Sequence, residues 1–361
     1  MGHNAVFVVG TGTIGEPLTG MLATLSKELG IDEVIFYKHS PKLDDRPLVE
    51  GLVRKGANLA VSAEKATQFR ELDLEPLYTF EEALDTSKVV IDCTPEKTGL
   101  ANKEKYYLNY QDKCSGFIAQ GSEAGFGIRF ATGINDEVLG DEKFIQVVSC
   151  NTHNISILIK TLGFNGGTNH LVSGKFVCMR RASDVSQTGG FIASPEAGKH
   201  DDKQFGTHHA RDVYHLFKTM GHELNVFSSS IKLPTQYMHC VQFDIHTDMK
   251  MDIDGAIKRL KENRFVCVTQ KRTAHQIFSM GREHGHYGRL LDETVVVLPS
   301  LLVKDSDLTE GSEIIGFSFT PQDGNSLLSS VTACVHILAG GETEEKRNSL
   351  RVLEKYRFQE I

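Results

Sequence analysis

The first hydrophobic positions of the chain predict a strand followed by a turn and a helix. Residues 5–9 form a short apolar run, which is typical of a strand buried on both faces. Glycines follow that run directly. Apolar residues then recur at helical spacing, at Leu18, Met21, Leu22 and Leu25. This order of elements is typical of a sheet whose parallel strands are joined by helices.

The alternation of strand and helix patterns continues through the first half of the chain. Helical spacing recurs at residues 81–86 and 100–110. Apolar runs predict further strands at residues 32–40, 88–95, 116–123 and 143–150. Repeated alternation predicts an α/β fold with a Rossmann-like, doubly wound parallel sheet. Ligands of such sheets bind beyond the carboxyl ends of the strands.

The second half has a different pattern, which favours an α+β domain with a mixed or antiparallel sheet. Residues 231–249 alternate between apolar and polar positions, as a half-buried strand does. A helix is predicted at residues 205–220. The other predicted strands lie at residues 174–184, 264–270 and 294–304, and helical spacing returns after Gln322.

The composition excludes several function classes. The formal net charge is −8 and no long basic run occurs, which argues against nucleic acid or a membrane as the partner. No apolar run approaches the length of a membrane span, and the chain begins without the features of a signal peptide. Seven scattered cysteines without a C-x-x-C pair favour a reducing compartment, so we expect a cytoplasmic protein. No H-E-x-x-H motif occurs, and we expect no metal site.

The glycines after the first strand carry the first functional signal. Gly10, Gly12 and Gly15 have the spacing G-x-G-x-x-G, between a predicted strand and a predicted helix. Such glycines let the backbone approach a pyrophosphate, and the helix N-terminus favours its negative charge. The alternative is an ordinary strand–turn–helix in which the glycines occur by chance. The context favours dinucleotide binding.

The end of the second predicted strand bears on which dinucleotide binds. Folds specific for NAD usually place a carboxylate there to bind the ribose 2′-hydroxyl. This chain has Lys38, His39 and Ser40 instead, which suit a 2′-phosphate better. The alternative is that Lys38 is an ordinary surface lysine. The cofactor is therefore expected to be NADP or NAD.

Cys150 is a candidate nucleophile at a helix start. Residues of capping type surround it at Ser149, Asn151 and Thr152, and an apolar helical face follows. The positive end of the helix dipole would stabilise a thiolate. The alternative is a small hydrophobic residue that is buried and inert.

We expect a dinucleotide-binding domain at 1–149 together with 320–361, and a catalytic domain at 150–319.

Cations follow Cys150 along the chain. Arg180 and Arg181 end a predicted strand, where side chains point alternately, so one of them is expected to face a site. His208 and His209 occupy the first turn of a predicted helix, where a bound oxyanion would explain them. The alternative is two exposed polar residues. His239 lies on a predicted strand, where a lone histidine is more often structural than catalytic.

A set of motifs, in order along nearly the whole chain, resembles the type II, archaeal-type glyceraldehyde-3-phosphate dehydrogenases. In those of bacterial and eukaryotic type the catalytic histidine follows the cysteine sooner, whereas residues 171–198 contain none. The type II pattern uses the histidine of an M-H strand, which corresponds to His239. The motifs are "GTGTIG", "KHSP", "DCTP", "QGSEA", "VVSCNT", "RRASD", "HHARDV", "PTQYMHC" and "PQDG".

The resemblance implies roles for individual residues. Cys150 corresponds to the nucleophile and His239 to its base. Cofactor-binding positions are implied at Gly10, Gly12, Thr13, Ile14, Gly15, Lys38, His39, Thr94, Pro95, Ser122, Arg181 and Gln322. Positions that bind the substrate or phosphate are implied at Ser149, Asn151, Thr152, Arg180, His208 and His209.

Some positions depart from the family pattern. His153 stands where a second threonine is usual, Ser122 where a second glycine is usual, and Pro321 where a histidine is common. The segment 184–206 also differs in sequence. These departures cluster near substrate positions, so the exact aldehyde stays open.

The implied reaction is the oxidation of D-glyceraldehyde 3-phosphate with inorganic phosphate and NAD(P)+, through a cysteine thioester, to 1,3-bisphosphoglycerate. The resemblance also implies a homotetramer in glycolysis or gluconeogenesis. One alternative is a related cysteine-dependent dehydrogenase of another phosphorylated aldehyde or semialdehyde. Another is a dinucleotide-binding regulator without turnover, which would need only the glycine turn.

Overall fold

The computed structural model of the protein describes residues 3–121, 123–140, 142–183, 189–321 and 323–361. The chain forms two compact units. The first unit comprises Met1–Phe130, Glu137–Val147 and Ser329–Glu354. The second unit comprises Ala131–Asp136, Val148–Leu328 and Lys355–Ile361. Our expected boundary places all of 320–361 in the first domain, whereas residues 320–328 and 355–361 belong to the second unit.

Helices and strands alternate in the first part of the chain. In order, they are β1 (Ala5–Val9), α1 (Gly15–Thr24), β2 (Glu33–Tyr37), α2 (Arg46–Arg54), β3 (Ala57–Val61), α3 (Ala66–Arg70), β4 (Tyr78–Thr79), α4 (Phe80–Thr86), β5 (Val89–Asp92), α5 (Thr98–Lys105), β6 (Gly116–Gln120), β7 (Ile128–Phe130) and β8 (Phe144–Val147).

The rest of the chain is richer in long strands. Its elements are α6 (Cys150–Gly163), β9 (Phe164–Asn165), β10 (Thr168–Asn169), β11 (Leu171–Arg180), β12 (Glu196–Ala197), α7 (His208–Lys218), β13 (Val226–Lys232), β14 (His239–Thr247), α8 (Ile253–Glu262), β15 (Val266–Thr269), α9 (Ala274–His284), β16 (Thr294–Val297), β17 (Leu302–Asp305), β18 (Ser312–Thr320), α10 (Gly324–Ala339) and α11 (Glu344–Leu350).

The first unit is built on a parallel sheet of eight strands. The strand order is β4-β3-β2-β1-β5-β6-β8-β7, and every neighbouring pair runs parallel. The order reverses direction between β1 and β5, which is where ligands of doubly wound sheets bind. All five residues of β1 are buried, as expected for a central parallel strand covered on both faces. The prediction of an α/β fold with a doubly wound parallel sheet is confirmed.

The second unit is built on a mixed sheet. The strand order is β12-β13-β11-β14-β18-β16-β15, with β17 paired to β18. β11 pairs parallel to β13 and antiparallel to β14, which itself pairs antiparallel to β18. Helix α6 packs against β11, β14 and β18, and nearly all of its residues are buried. The predicted mixed sheet is therefore confirmed.

Two features of the second unit differ from the sequence expectation. The predicted strand at 231–249 is two strands, β13 and β14, because residues 233–238 leave the sheet. Pro234 in this segment has no amide N–H to donate to a ladder, which favours a break there. Strand β18, the central partner of β14 and β16, was not predicted.

Candidate active site

The turn between β1 and α1 forms a cradle in which two positions accept only glycine. Gly10 has φ +101°, and a Cβ there would lie 3.1 Å from the carbonyl oxygen of Cys93. A Cβ on Gly15 would lie 2.0 Å from the carbonyl oxygen of Gly10, which is a severe clash. A Cβ on Gly12 would meet nothing within 4 Å. Gly10 and Gly15 therefore shape the turn, whereas Gly12 leaves open space beside it.

The start of α1 fits an anionic group. Ile14 is its N-cap residue and its side chain makes no capping hydrogen bond, so the first turn depends on backbone groups. Such a helix end, preceded by Thr13, favours a phosphate through its amides and its dipole. Beyond β5, the Thr94 amide donates to Oδ1 of Asp92 over 2.9 Å, which forms the turn that leads to Pro95. The residues of this edge thus fit a dinucleotide pyrophosphate.

The end of β2 carries the residues expected to distinguish NADP from NAD. The Lys38 ammonium lies 2.7 Å from the Asp45 carboxylate and donates to the Thr11 hydroxyl over 3.2 Å. His39 is exposed, and its Nε2 lies 3.2 Å from the ammonium of Lys65. Sequence reasoning found neither Asp45 nor Lys65, because both come from later segments than β2. Two other implied cofactor positions, Ser122 and Gln322, lie outside the described residues.

Cys150 is the first residue of the 14-residue helix α6 and is partly buried. Ser149 is the N-cap residue, and its hydroxyl accepts a hydrogen bond from the Thr152 amide over 3.4 Å. Nδ2 of Asn325 donates to the Cys150 carbonyl oxygen over 2.9 Å. The expected position of Cys150 at a capped helix N-terminus is confirmed. A thiolate there lies at the positive end of the helix dipole.

A buried hydrogen-bond chain follows Cys150. Asn151 Nδ2 donates to His209 Nε2 over 3.3 Å, and Asn151 Oδ1 accepts from the Thr320 hydroxyl over 3.0 Å. The Thr320 hydroxyl accepts from Asn154 Nδ2 over 2.9 Å. His209 Nδ1 lies 3.1 Å from the Thr207 hydroxyl. Because these groups are buried, each needs its partner, and together they fix the side chain of Asn151.

His209 is a neutral ring in this chain of hydrogen bonds. Burial first, and then the nearby His208, Arg180 and His239, hold the pKa of His209 well below its ordinary value of 6.5. Since Nε2 accepts from Asn151, the ring proton is on Nδ1 and points to Thr207. Both ring nitrogens therefore have protein partners. Of the two predicted phosphate ligands on α7, only His208 remains partly exposed.

His239 opens β14 and is also neutral. Its Nδ1 accepts a hydrogen bond from the backbone N–H of Arg181 over 3.1 Å. Burial first, and then the charges of Arg181 and Arg180, hold the pKa of His239 well below 6.5. A neutral ring that accepts at Nδ1 carries its proton on Nε2. In this tautomer His239 is a hydrogen-bond donor at Nε2, which differs from the simple base that the resemblance implies.

The two arginines have different surroundings, as the alternation along a strand predicts. Arg180 is exposed at the end of β11. Arg181 is buried, and its guanidinium lies 3.1 Å from the Asp323 carboxylate. Asp323 has φ +58° and precedes α10, in the segment "PQDG" that carries part of the resemblance. We did not single out Asp323 from the sequence, because the two partners lie 142 positions apart.

His153, one of the departures from the family pattern, is buried on α6. Its Nδ1 lies 2.9 Å from the Ser149 carbonyl oxygen, one turn earlier in the helix. Burial lowers the pKa of His153 to about 4, so the ring is neutral at pH 7. The substitution therefore adds no charge next to Cys150.

The other six cysteines have poorly ionised thiols. Burial raises the pKa of Cys114 and of Cys240 to about 11, and those of Cys178 and Cys334 to about 12. Burial also raises the pKa of Cys93 and of Cys267 well above the ordinary value of 9.0. At neutral pH these six thiols are protonated and weakly nucleophilic.

A group with metal-ligand spacing lies elsewhere in the second unit. Atoms of Asp244, His246 and Glu313 lie within 4.8 Å of one another. The ammonium of Lys304 lies 3.0 Å from the Glu313 carboxylate and supplies a positive charge. With His246 Nε2 3.3 Å from Asp244 Oδ1, the group forms an ion-pair network. Separately, within the described part of the chain, no helix combines the length and apolar character needed to cross a bilayer.

Comparison with known proteins finds glyceraldehyde-3-phosphate dehydrogenases that are similar to this chain. No protein-family model matches the chain. It is 25% identical over 317 residues to the glyceraldehyde-3-phosphate dehydrogenase of Pyrobaculum neutrophilum, covering 86% of this chain and 85% of the relative. It is 26% identical to that of Methanobacterium formicicum, covering 84% and 86%, and 29% identical to that of Sulfolobus acidocaldarius, covering 73% of each.

The chain is a relative of the archaeal glyceraldehyde-3-phosphate dehydrogenases. The match covers 86% of the chain, so it extends over both units and includes the Cys150 helix of the second. Relatives of this name are NAD(P)-dependent oxidoreductases. The resemblance stated from the sequence motifs is thus confirmed by similarity to glyceraldehyde-3-phosphate dehydrogenases over 73–86% of the chain.

Proposed function

We propose that this chain is an NAD(P)-dependent, phosphorylating glyceraldehyde-3-phosphate dehydrogenase. It oxidises D-glyceraldehyde 3-phosphate with inorganic phosphate to 1,3-bisphosphoglycerate. The observation that carries the proposal is Cys150 as the first residue of a capped helix, in the unit that also holds Arg180, His208 and His239. A dinucleotide-binding regulator would need none of these four residues.

Cys150 is the proposed nucleophile. The positive end of α6 stabilises its thiolate, so no base has to remove a thiol proton at the moment of attack. The sulfur forms a bond to the aldehyde carbon, and the carbonyl π electrons move to the oxygen. The product is a hemithioacetal oxyanion.

His239 is proposed to stabilise that oxyanion. With Nδ1 held by the Arg181 amide, the Nε2–H of the neutral ring is the group able to donate to the oxygen. The oxyanion then re-forms its C=O bond and releases a hydride, leaving a thioester. His239 accepts a proton itself only at Nδ1, after the hydrogen bond with Arg181 is lost. We therefore propose donation first, with base catalysis as a second role.

The cofactor and inorganic phosphate complete the cycle. A bound NAD(P)+ would supply the acceptor for this hydride. An oxygen of inorganic phosphate then attacks the thioester carbonyl carbon, the C–S bond breaks, and the Cys150 thiolate is regenerated. The proton of the attacking phosphate is released to solvent. The acyl phosphate leaves as product.

Arg180 and His208 are the proposed phosphate ligands. Both belong to the second unit, one is exposed and one is partly exposed, and both can donate to an oxyanion. His209 has both ring nitrogens occupied by Asn151 and Thr207, so we propose that it positions Asn151. This is a change from the role as a ligand that the resemblance implies for His209.

The test is NAD(P)H formation with a panel of aldehydes, with and without inorganic phosphate. We expect oxidation of glyceraldehyde 3-phosphate that rises from near zero as phosphate is added, and arsenate should replace phosphate. Full-rate oxidation without phosphate, giving the free acid, would refute the phosphorylating assignment. A higher kcat/KM for another phosphorylated aldehyde or semialdehyde would show that this compound, and not glyceraldehyde 3-phosphate, is the preferred substrate. No turnover with any aldehyde would favour the alternative of a dinucleotide-binding regulator.

We propose a cytoplasmic homotetramer that acts in glycolysis or gluconeogenesis. Light scattering of the purified chain during gel filtration measures the oligomeric state, and a mass of one subunit would contradict the tetramer.

A further inference from the structure

Two lysines lie near the carboxyl ends of β2 and β3, and their charges are not equivalent. The Lys38 ammonium is 2.7 Å from the Asp45 carboxylate and also donates to Thr11. Its side chain is only 12% exposed. A lysine paired in this way attracts an anionic ligand more weakly, because the nearby carboxylate repels the anion and offsets much of the attraction by the ammonium.

Lys65 has no such compensation. Its ammonium donates to the backbone carbonyl of His39 over 2.8 Å and lies 3.2 Å from Nε2 of the same residue. Across the described residues, no carboxylate forms an ion pair with Lys65. An ammonium has three N–H donors, so one donor and the whole positive charge remain for a ligand. The two bonds to His39 hold this charge at the end of β2.

The end of β2 is beside the glycine turn. The Gly10 amide donates to the Tyr37 carbonyl oxygen over 3.3 Å, and the Lys38 amide donates to the Ala60 carbonyl oxygen at the end of β3. In a doubly wound sheet, the ribose of a dinucleotide bound at the first glycine turn lies over the end of the second strand. The Lys65 ammonium is therefore near the ribose hydroxyls of a bound cofactor.

We infer that Lys65, held in place by His39, binds the 2′-phosphate of NADP and makes the chain prefer NADP over NAD. This inference rests on the proposed function, since it concerns the same cofactor site. A charge-assisted hydrogen bond to phosphate adds binding free energy that the 2′-hydroxyl of NAD does not receive. Lys38, the residue that the sequence alone suggested, should contribute less to 2′-phosphate binding, because its ammonium is paired with the Asp45 carboxylate.

The test measures ligand binding without turnover. Adenosine 2′,5′-bisphosphate and 5′-AMP are titrated into the full chain by calorimetry, for the wild type and for Lys65→Gln. We expect Lys65→Gln to weaken the bisphosphate by about tenfold or more. We expect it to change 5′-AMP less than about twofold, because the 5′-phosphate is bound by the glycine turn. Lys65→Arg keeps the charge and should restore most of the affinity for the bisphosphate.

Two further variants make the comparison specific. Lys27→Gln removes an exposed lysine after α1 and should change neither ligand. Lys38→Gln should weaken the bisphosphate less than Lys65→Gln does. Equal losses for both ligands in Lys65→Gln, or a larger loss in Lys38→Gln, would overturn the inference. A chain that binds the bisphosphate through Lys65 but oxidises no aldehyde would refute the proposed function alone.

Discussion

The candidate site of the first unit is formed by backbone groups, whereas that of the second unit is formed by side chains. In the first unit the cradle is made of backbone: Gly10 and Gly15 pack against main-chain atoms, and the N-cap residue Ile14 makes no side-chain capping bond to α1. In the second unit the site is made of side chains. Cys150 begins a helix that is capped by Ser149, and Asn151 is held by a buried hydrogen-bond chain.

This difference follows from what each site has to do. A pyrophosphate is bound by amide groups and a helix dipole, which any sequence supplies once glycines permit the approach. Covalent chemistry needs one nucleophile and donors at fixed atoms, and these come only from particular side chains. Function of the first unit should therefore be lost when atoms are added at its glycines. Function of the second unit should be lost when groups are removed from its side chains.

Removal of the Cys150 thiol is expected to have the largest effect. Cys150→Ser should lower kcat by about 10³-fold or more while cofactor binding is retained, since the serine hydroxyl is far less nucleophilic. Initial rates and a dinucleotide titration measure the two properties. Cys240→Ser, at another partly buried thiol, is the matched control and should stay near wild-type rate. Stoichiometric iodoacetamide should label Cys150; main labelling at Cys93 with loss of activity would contradict the assignment.

Substitution of His239 is expected to have the second-largest effect on the rate. His239→Asn should lower kcat by about 10²–10⁴-fold. His239→Gln separates the two proposed roles, because the glutamine amide N–H can reach the position of Nε2–H but is not a base. If donation dominates, Gln should be clearly faster than Asn. Equal loss in both would favour base catalysis, and a near-normal rate in both would make His239 structural. His246→Asn, on the same strand, should matter less.

Added atoms test the backbone cradle of the first unit. Gly12→Ala meets no protein atom, so the chain should fold normally and bind dinucleotide about tenfold more weakly, because the methyl group occupies the open space at the turn. Gly15→Ala should also destabilise the unit, since its Cβ would lie 2.0 Å from a carbonyl oxygen. Thermal unfolding and a cofactor titration distinguish the two. Unchanged cofactor affinity in Gly12→Ala would show that the turn is not part of the cofactor-binding site.

Two buried carboxyl groups give the smallest predicted effect, which concerns stability. Glu293 in the second unit is fully buried, and neither carboxyl oxygen has a hydrogen-bond partner among the residues that the structure describes. Burial first, and then Asp136 and Asp292, raise its pKa well above 4.5. Glu123 in the first unit is 3% exposed and its pKa is also raised, chiefly by burial, but it accepts from the Leu100 amide.

The sign of the pH dependence follows from these raised values. The folded state keeps its proton where the unfolded state has lost it, so the stabilisation is complete below pH 4.5 and is lost as pH rises towards the folded pKa. The slope is about 1.4 kcal/mol per pH unit for one group. Glu293→Gln should therefore flatten the fall in stability above pH 5, measured by urea unfolding, and Glu123→Gln should flatten it less. An unchanged slope in Glu293→Gln would mean that the carboxyl group is ionised when folded.

Much of the fold could be predicted because its signals are local. The apolar run at residues 5–9, the glycines after it and the helical spacing beyond are all set by neighbours within a few residues. The position of Cys150 at a capped helix start was predictable for the same reason, because a cap involves residues within one turn. Strand β18 was missed because its role as partner of β14 is set by a distant segment.

The sequence by itself determined the doubly wound sheet, the glycine turn and the cysteine at a helix N-terminus. Only the tertiary structure decided the protonation of His209, the pairing of Arg181 with Asp323 and the compensation of Lys38 by Asp45. The reason is physical: burial and hydrogen bonds set charge and tautomer, and the partners of His209 and Arg181 come from far along the chain. Asn151 meets Thr320 across 169 positions and His209 across 58, distances at which no periodicity of the sequence carries information.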